Sequence, residues 1–264
     1  MATRTYSRSS KGKANISETV YAILHKNIVN LTLVPGTMIS EKDIAERLQV
    51  SRTPVREAFI KLSHEALVNI FPQKGTFVSK IDLSRVQEER FLRESLESAV
   101  LDRFVTSHTE ESIDRLRMNL KKQRGAVDQN DLSKFIDYDD QFHAIMFDET
   151  RKNLCYTVLQ SFSSHYRRIR YLSIFFSNIS SQNIEQHQEL LEAIERQDSA
   201  EASAVLKRHI RKLIIEKDDI CEKYPDYFQQ EERFIGDSEI FENTNELQKL
   251  LSDTSLFTLS KGSE

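Results

Sequence analysis

The sequence has no tryptophan, two cysteines, four prolines and six glycines in 264 residues. So few chain breakers argue against a sandwich or barrel, whose many tight turns consume glycine and proline. The cysteines, Cys155 and Cys221, lie far apart without metal-binding spacing. They read as free thiols of a reducing cytoplasm, with a disulfide the weaker alternative. No apolar run is long enough to span a bilayer, so no membrane partner is expected. The leading MATRTYSRSSKGKAN is charged but has no apolar core, which excludes a secretory signal and points to a cytoplasmic protein.

What is present is 39% hydrophobic and 30% charged, the mark of a soluble, mostly helical chain of one large or two ordinary domains. The net charge of −4 hides an asymmetry. Residues 1–80 hold 12 Lys/Arg against 6 Asp/Glu (+6), and residues 81–264 hold 25 against 35 (−10). A basic head on an acidic body suggests that the head meets a polyanion, although runs of charge are more often solvated faces.

The first twelve residues are polar and expected to lack fixed structure. From Ser17, Val20, Ile23, Leu24 and Ile28 recur at helical spacing, and Pro35-Gly36 breaks the chain. Ser40 should cap a short helix, EKDIAERL, and Ser51 a third, RTPVREAFIKLSHEA, with Pro54 tolerable in its first turn. LVNIFP and TFVSKI around QKG read as a hairpin with Gly75 at its turn. Three short helices and a hairpin over residues 14–80 make a winged helix-turn-helix. In that fold the third helix enters the major groove N-terminal end first. Arg52 and Arg56 share one face there and can each bond guanine or phosphate. Thr53 and the helix-start amides can hold a phosphate, as can Lys42. Lys74 and Gly75 at the wing tip can approach backbone or minor groove. By themselves two surface arginines prove little; the ordered set of elements gives them weight.

The stretch ISEKDIAERLQVSRTPVREAFIKLSHEALVNIFPQKGTFVSKI resembles the reading head of GntR-family bacterial transcription regulators. VSRTPVREA plus a KG wing is a specific signature. The resemblance implies operator binding by a homodimer, with DNA contacts from Lys42, Arg52, Thr53, Arg56 and Gly75. Ala66 departs from it, standing where the family usually has glycine.

From Leu83 the pattern is helical almost to Tyr224, with helices expected near 83–107, 109–127, 131–149, 151–176, 181–197 and 199–223. This is an all-α bundle of about six helices over residues 83–224. Residues 225–264 form an acidic extension, expected either to make one short helix around Ile240–Leu251 or to stay mobile. Within the bundle stripes sit polar residues that a core should reject. Asp139 and His143 share a face with Phe135, Ile136, Phe142 and Met146. His187 shares one with Ile184, Leu190, Leu191 and Ile194, and His209 with Ala202, Val205, Leu206 and Leu213. An unpaired buried polar group costs roughly 1–3 kcal/mol, and a charge more. Three imidazoles and a carboxylate converging on one point suit a divalent metal, with zinc, nickel or manganese expected. Each histidine taken singly is more often a core residue bonded to a carbonyl. His25, His64, His108 and His165 read as surface or packing residues.

DYDDQFHAIM, QHQELLEAIERQD and LKRHI resemble the FCD effector domain of the FadR-like GntR branch. The resemblance implies a metal on Asp139, His143, His187 and His209, and a small organic acid beside it. Arg93, in FLRESLESA, could pair with that acid or simply with Glu97; Asn153 reads as a helix cap. The expected function is a repressor or activator whose operator affinity follows a small carboxylate effector. The alternative is a metal-dependent hydrolase or lyase acting on a small carboxylate; the stripes offer it no free general base.

Overall fold

The structure, a computed structural model, describes residues 9–177 and 180–229. The expected helix in the acidic extension lies outside them. Helix α1 runs Ser9–Val29, so it already includes part of the stretch expected to lack structure. Strand β1 (Met38–Ile39), α2 (Glu41–Leu48), α3 (Arg52–His64), β2 (Val68–Phe71) and β3 (Gly75–Val78) follow. The sheet order is β1-β3-β2, all antiparallel. β1 is a third strand that no alternation over so short a stretch could have announced; it pairs Met38 with Phe77 and Ile39 with Thr76. Ser40 caps α2 by accepting from the amides of Lys42 and Asp43. Ser51 precedes α3 but makes no side-chain cap bond. Val20, Leu24, Ile28, Val55, Phe59, Leu62, Leu67 and Val78 fill a core of their own.

The chain then passes through Ser79–Asp82 into α4 (Leu83–Ser107), α5 (Glu110–Asp128), α6 (Leu132–Glu149), α7 (Asn153–Ser161), α8 (Ser164–Ser177), α9 (Ser180–Glu195) and α10 (Ser199–Lys223). Among the described residues seven helices thus stand where about six were expected. The single helix expected over 151–176 is two, broken at Phe162–Ser163. The break is stabilised from outside the segment: the buried carboxylate of Glu89, on α4, accepts the Tyr166 amide in the first turn of α8 at 2.7 Å. A free helix start presents such unpaired amides, and a buried acid answers one of them. Asn153 opens α7 without capping it; its side chain lies 3.5 Å from Asp148.

A second core of Val100, Phe104, Leu116, Phe135, Phe142, Met146, Leu190, Ile194 and Leu206 holds the bundle. A smaller cluster, Ile81, Val86, Tyr166, Ile169, Leu172, Ile220 and Phe228, joins the linker to α8 and to the end of α10. There the Ile81 amide and carbonyl both pair with residues 227 and 229. Both cysteines are free thiols, and no helix among the described residues is long and apolar enough to cross a membrane.

Candidate functional site

On the head, Arg52, Thr53 and Arg56 all project into solvent from the first turns of α3. The helix is anchored from behind by Val55, Ala58, Phe59 and Leu62. Arg56 Nε lies 3.2 Å from Glu41 at the start of α2, a surface pair that DNA can displace cheaply. Lys42 is exposed beside it. Lys74 and Gly75 are exposed at the wing, where Gln73 (φ 62°) and Gly75 (φ 112°) make the turn.

In the bundle, the four residues read from the stripes meet. One donor atom from each of Asp139, His143, His187 and His209 lies within 4.8 Å of all the others. Asp139 and His143 come from successive turns of α6, His187 from α9 and His209 from α10. The first three are buried to 1% exposure or less, and His209 is partly buried.

A second layer decides which ring nitrogens face inward. Gln123 Oε1, on α5, lies 3.0 Å from His187 Nδ1, and Asn119 holds that amide by accepting from its Nε2 at 2.8 Å. Gln186 Oε1 lies 3.0 Å from His209 Nδ1. Glu97 Oε2 lies 2.8 Å from His143 Nδ1, along a bent approach. Each acceptor needs a proton on Nδ1, which leaves a lone pair on every Nε2. The His143 and His187 Nε2 atoms stand 3.3 Å apart, and Asp139 Oδ1 lies 3.8 Å from the latter. Asp139 Oδ1 is buried without a hydrogen-bond partner. Lone pairs facing one another around an orphaned carboxylate oxygen are what a cation would resolve, and the donor set of three imidazoles and one carboxylate fits a divalent transition metal.

The charges around this point compensate. Burial would raise the Asp139 carboxyl, but Arg170 and then the imidazoles overcome it and hold it far below the usual carboxylate range. Its Oδ2 is paired with Arg170 and lies 3.9 Å from Arg93. Burial drives His187 down to about 3, and His209 also falls well below an ordinary imidazole. Arg93 donates to Glu97 at 2.7 Å, so its expected alternative to a ligand contact is present. Burial would raise Glu97 too, but Arg93 and His143 bring it to about 2. Asp140 is held between Arg167 (2.5 Å) and Arg170 (2.8 Å). A cavity of about 10 Å³, room for about one water, lies beside His143, edged by Arg93, Glu97, Tyr156, Arg167 and Arg170; the other three donors do not line it. A wider, open cleft runs between α5 and α6 past Met118, Lys122 and Ile145, and none of the four donors lines it.

The sequence reading missed Glu89, Arg167, Arg168 and Arg170, all charged and largely buried, and gave Glu97 only as a partner of Arg93. The signal was there for α4: Glu89, Arg93 and Glu97 recur every fourth residue on the face that also carries Val86, Val100 and Phe104. His165, read as a surface or packing residue, is 1% exposed and fully engaged in polar contacts.

A winged helix-turn-helix with an arginine-bearing third helix, fused to a helical bundle, defines a DNA-binding transcription regulator. Comparison with known proteins gives the family. The model described as bacterial regulatory proteins, gntR family, matches residues 16–78, and the FCD domain model matches residues 90–212. The chain is 31% identical over 216 residues to the HTH-type transcriptional repressor RspR of Escherichia coli K12, covering 82% of this chain and 95% of that one. It is 32% identical over 219 residues to a regulator in an unstable DNA locus of Streptomyces ambofaciens, covering 83% and 92%. The chain therefore belongs to the GntR family, in the group that carries an FCD domain, and its relatives are regulators rather than enzymes. The solved E. coli McbR/YncC has the same fold, at TM-score 0.67 and 19% identity over 79% of this chain and 98% of that one. A Rhodococcus GntR regulator gives 0.66 and 23% over the same shares.

Proposed function

We propose that the chain is an operator-binding repressor, acting as a cytoplasmic homodimer, whose DNA affinity is set by a small carboxylate bound beside a metal. The reading head is residues 14–80, the effector domain 83–224, and the acidic extension 225–264. Arg52 and Arg56 read base edges or phosphates, Thr53 and Lys42 hold phosphates, and Lys74 with Gly75 touches the backbone beside the groove. The similar RspR is a transcriptional repressor, which favours repression here.

Asp139, His143, His187 and His209 would hold zinc, nickel or manganese. A bound metal would supply a fixed positive charge and a Lewis-acid centre for an anionic ligand. The observation that carries this reading is the convergence of the four donors: each Nδ1 faces Glu97, Gln123 or Gln186, and the His187 and His143 Nε2 atoms lie 3.8 Å and 4.0 Å from Oδ1 and Oδ2 of Asp139, whose Oδ1 is buried without a hydrogen-bond partner. Charge balance supports an anionic effector. Asp137, Asp139, Asp140 and Glu97 face Arg93, Arg167 and Arg170, so a dication leaves one net positive charge, which a single carboxylate would neutralise. Arg93 lines the cavity and would orient that carboxylate.

The test is metal analysis of protein purified without chelator, with titration of small carboxylates by thermal shift. About one metal per chain, lost on His187→Ala, and carboxylate shifts that disappear with chelator are expected. A metal-free chain whose stability is indifferent to His187→Ala would refute the metal centre.

A further inference from the structure

Helix α8 carries two sets of polar side chains that face different parts of the molecule within two turns. Arg167 and Arg170 point toward the Asp139 site, where they hold Asp140, and Arg170 also holds Asp139. His165 and Arg168 point the other way, to the base of the wing. Arg168 Nη1 donates to the Ser79 carbonyl at 2.7 Å, just past the end of β3. His165 Nε2 lies 3.2 Å from the Ala66 carbonyl, just before β2, and its Nδ1 accepts from the Asp82 amide at 3.0 Å and from Arg168 Nη2 at 3.0 Å. One neutral imidazole thus joins the head, the linker and α8. Ser79 and Ala66 are tied to each other as well, through the Ser79 hydroxyl and the Ala66 carbonyl.

Arg168 is an unusual residue to leave there. Its side chain is fully buried. Among the described residues no carboxylate lies within ion-pair distance of it, and its Nε has no partner. A buried guanidinium paired only with a carbonyl and an imidazole is costly, and an apolar side chain of similar volume would often be more stable. Packing therefore does not explain it. Geometry does: a forked donor can grip two parts of the molecule at once, which an apolar side chain cannot.

We propose that Arg168 and His165 are positioning residues that couple the Asp139 site to the reading head through α8. A helix turn is rigid, so a change in how Arg170 engages Asp139 or Asp140 must rotate or slide α8. That motion passes through Arg168 to Ser79 and through His165 to Ala66 and Asp82. Both strands of the wing and the entry to α4 then move as one unit relative to the bundle. In a dimer this resets the separation of the two recognition helices. The route uses the metal centre proposed above as its input, but the grip itself exists without it.

The experiment is hydrogen exchange on the full chain with zinc against chelator, with zinc stoichiometry measured in parallel. In the wild type, zinc should slow exchange in α6, α9 and α10 and, remotely, at residues 66–82 by about fivefold or more. Arg168→Met should bind zinc at the same stoichiometry and keep the protection in the bundle, but its 66–82 segment should no longer respond. A remote response of wild-type size in Arg168→Met, or none in zinc-loaded wild type, overturns the proposal. If wild type binds no zinc, the metal reading fails separately, and Arg170→Gln replaces zinc as the input. Its effect at 66–82 should then vanish on an Arg168→Met background; an equal effect on both backgrounds overturns the coupling. His165→Gln carries the same comparisons if Arg168→Met does not fold.

Discussion

The head and the bundle use arginine in opposite ways. Arg52 and Arg56 stand on the surface of α3, and the fold beneath them would be the same without them. Arg93, Arg168 and Arg170 are buried among acids, carbonyls and imidazoles, and the fold around them is built on their charge. The difference teaches where function can be separated from stability. A surface that reads DNA keeps its charges solvated until the polyanion arrives. The bundle keeps its charges dry, so most are answered by an opposite charge, and Arg168 is the exception.

The sharpest way to break the comparison is Asp139→Asn. It leaves the size of the side chain nearly unchanged and removes the charge that Arg170 faces. Breaking one member of a buried charge set costs about 3–5 kcal/mol. Chemical denaturation should register that loss, and metal analysis should find the site empty. A loss under about 1 kcal/mol would mean that the bundle tolerates its charges as loosely as the head does. The head should behave in the opposite sense. Arg52→Ala with Arg56→Ala should leave the denaturation midpoint within about 0.5 kcal/mol of wild type. Operator binding should fall by about 1–3 kcal/mol per arginine, with a shallower salt dependence if either holds a phosphate. Unchanged affinity would remove α3 from the DNA.

How much of this was legible follows the same divide. The head was read almost whole, because a capping serine, a proline in the first helical turn and a glycine at the wing are local signals. Strand β1 escaped, since Met38 and Ile39 pair only once β3 is in place. In the bundle the four donors were legible, because Asp139, His143, His187 and His209 interrupt strong apolar stripes. Their partners were not. Gln123 and Gln186 look like surface residues until the helices bring them against the imidazoles, and Glu97 was legible as a partner of Arg93 but not of His143. The α7–α8 break escaped for the same reason, since the residue that answers the α8 amide is Glu89, on another helix. His165 was legible only as a surface or packing residue, because its partners, Ala66, Asp82 and Arg168, span a hundred positions of chain.

His165 also gives the comparison a pH axis. Burial, then Arg168 and Arg85, lower it to about 3. Burial, then Arg167 and Lys61, lower His25, in the cleft between α1 and the bundle, to about 4. The unfolded chain binds a proton at each near pH 6.5, and the folded chain does not until much lower. Stability from these groups is therefore complete above 6.5 and is lost as pH falls toward their folded values. Each fully titrating group contributes a slope of about 1.4 kcal/mol per pH unit. His165→Gln should flatten the stability curve by about that amount between roughly pH 5.5 and 4.5. Parallel curves for variant and wild type would show that His165 is already charged in the folded chain.

The smallest effect bears on the turn where head and bundle meet. Ala66 has φ 54°, a left-handed backbone that a Cβ disfavours by about 1–2 kcal/mol. The turn holds because its carbonyl accepts from Ser79 and faces His165, so the grip from α8 opposes the local strain. Ala66→Gly keeps that carbonyl and removes the Cβ, while adding about 0.4–1 kcal/mol of unfolded-chain entropy. The net gain should be about 0.5 kcal/mol, read as a rise in Tm of about 1–2 °C. Because the acceptor is unchanged, the response of residues 66–82 to zinc should survive in Ala66→Gly while it disappears in Arg168→Met. That contrast separates relief of a strained turn from loss of the contact that pulls on it.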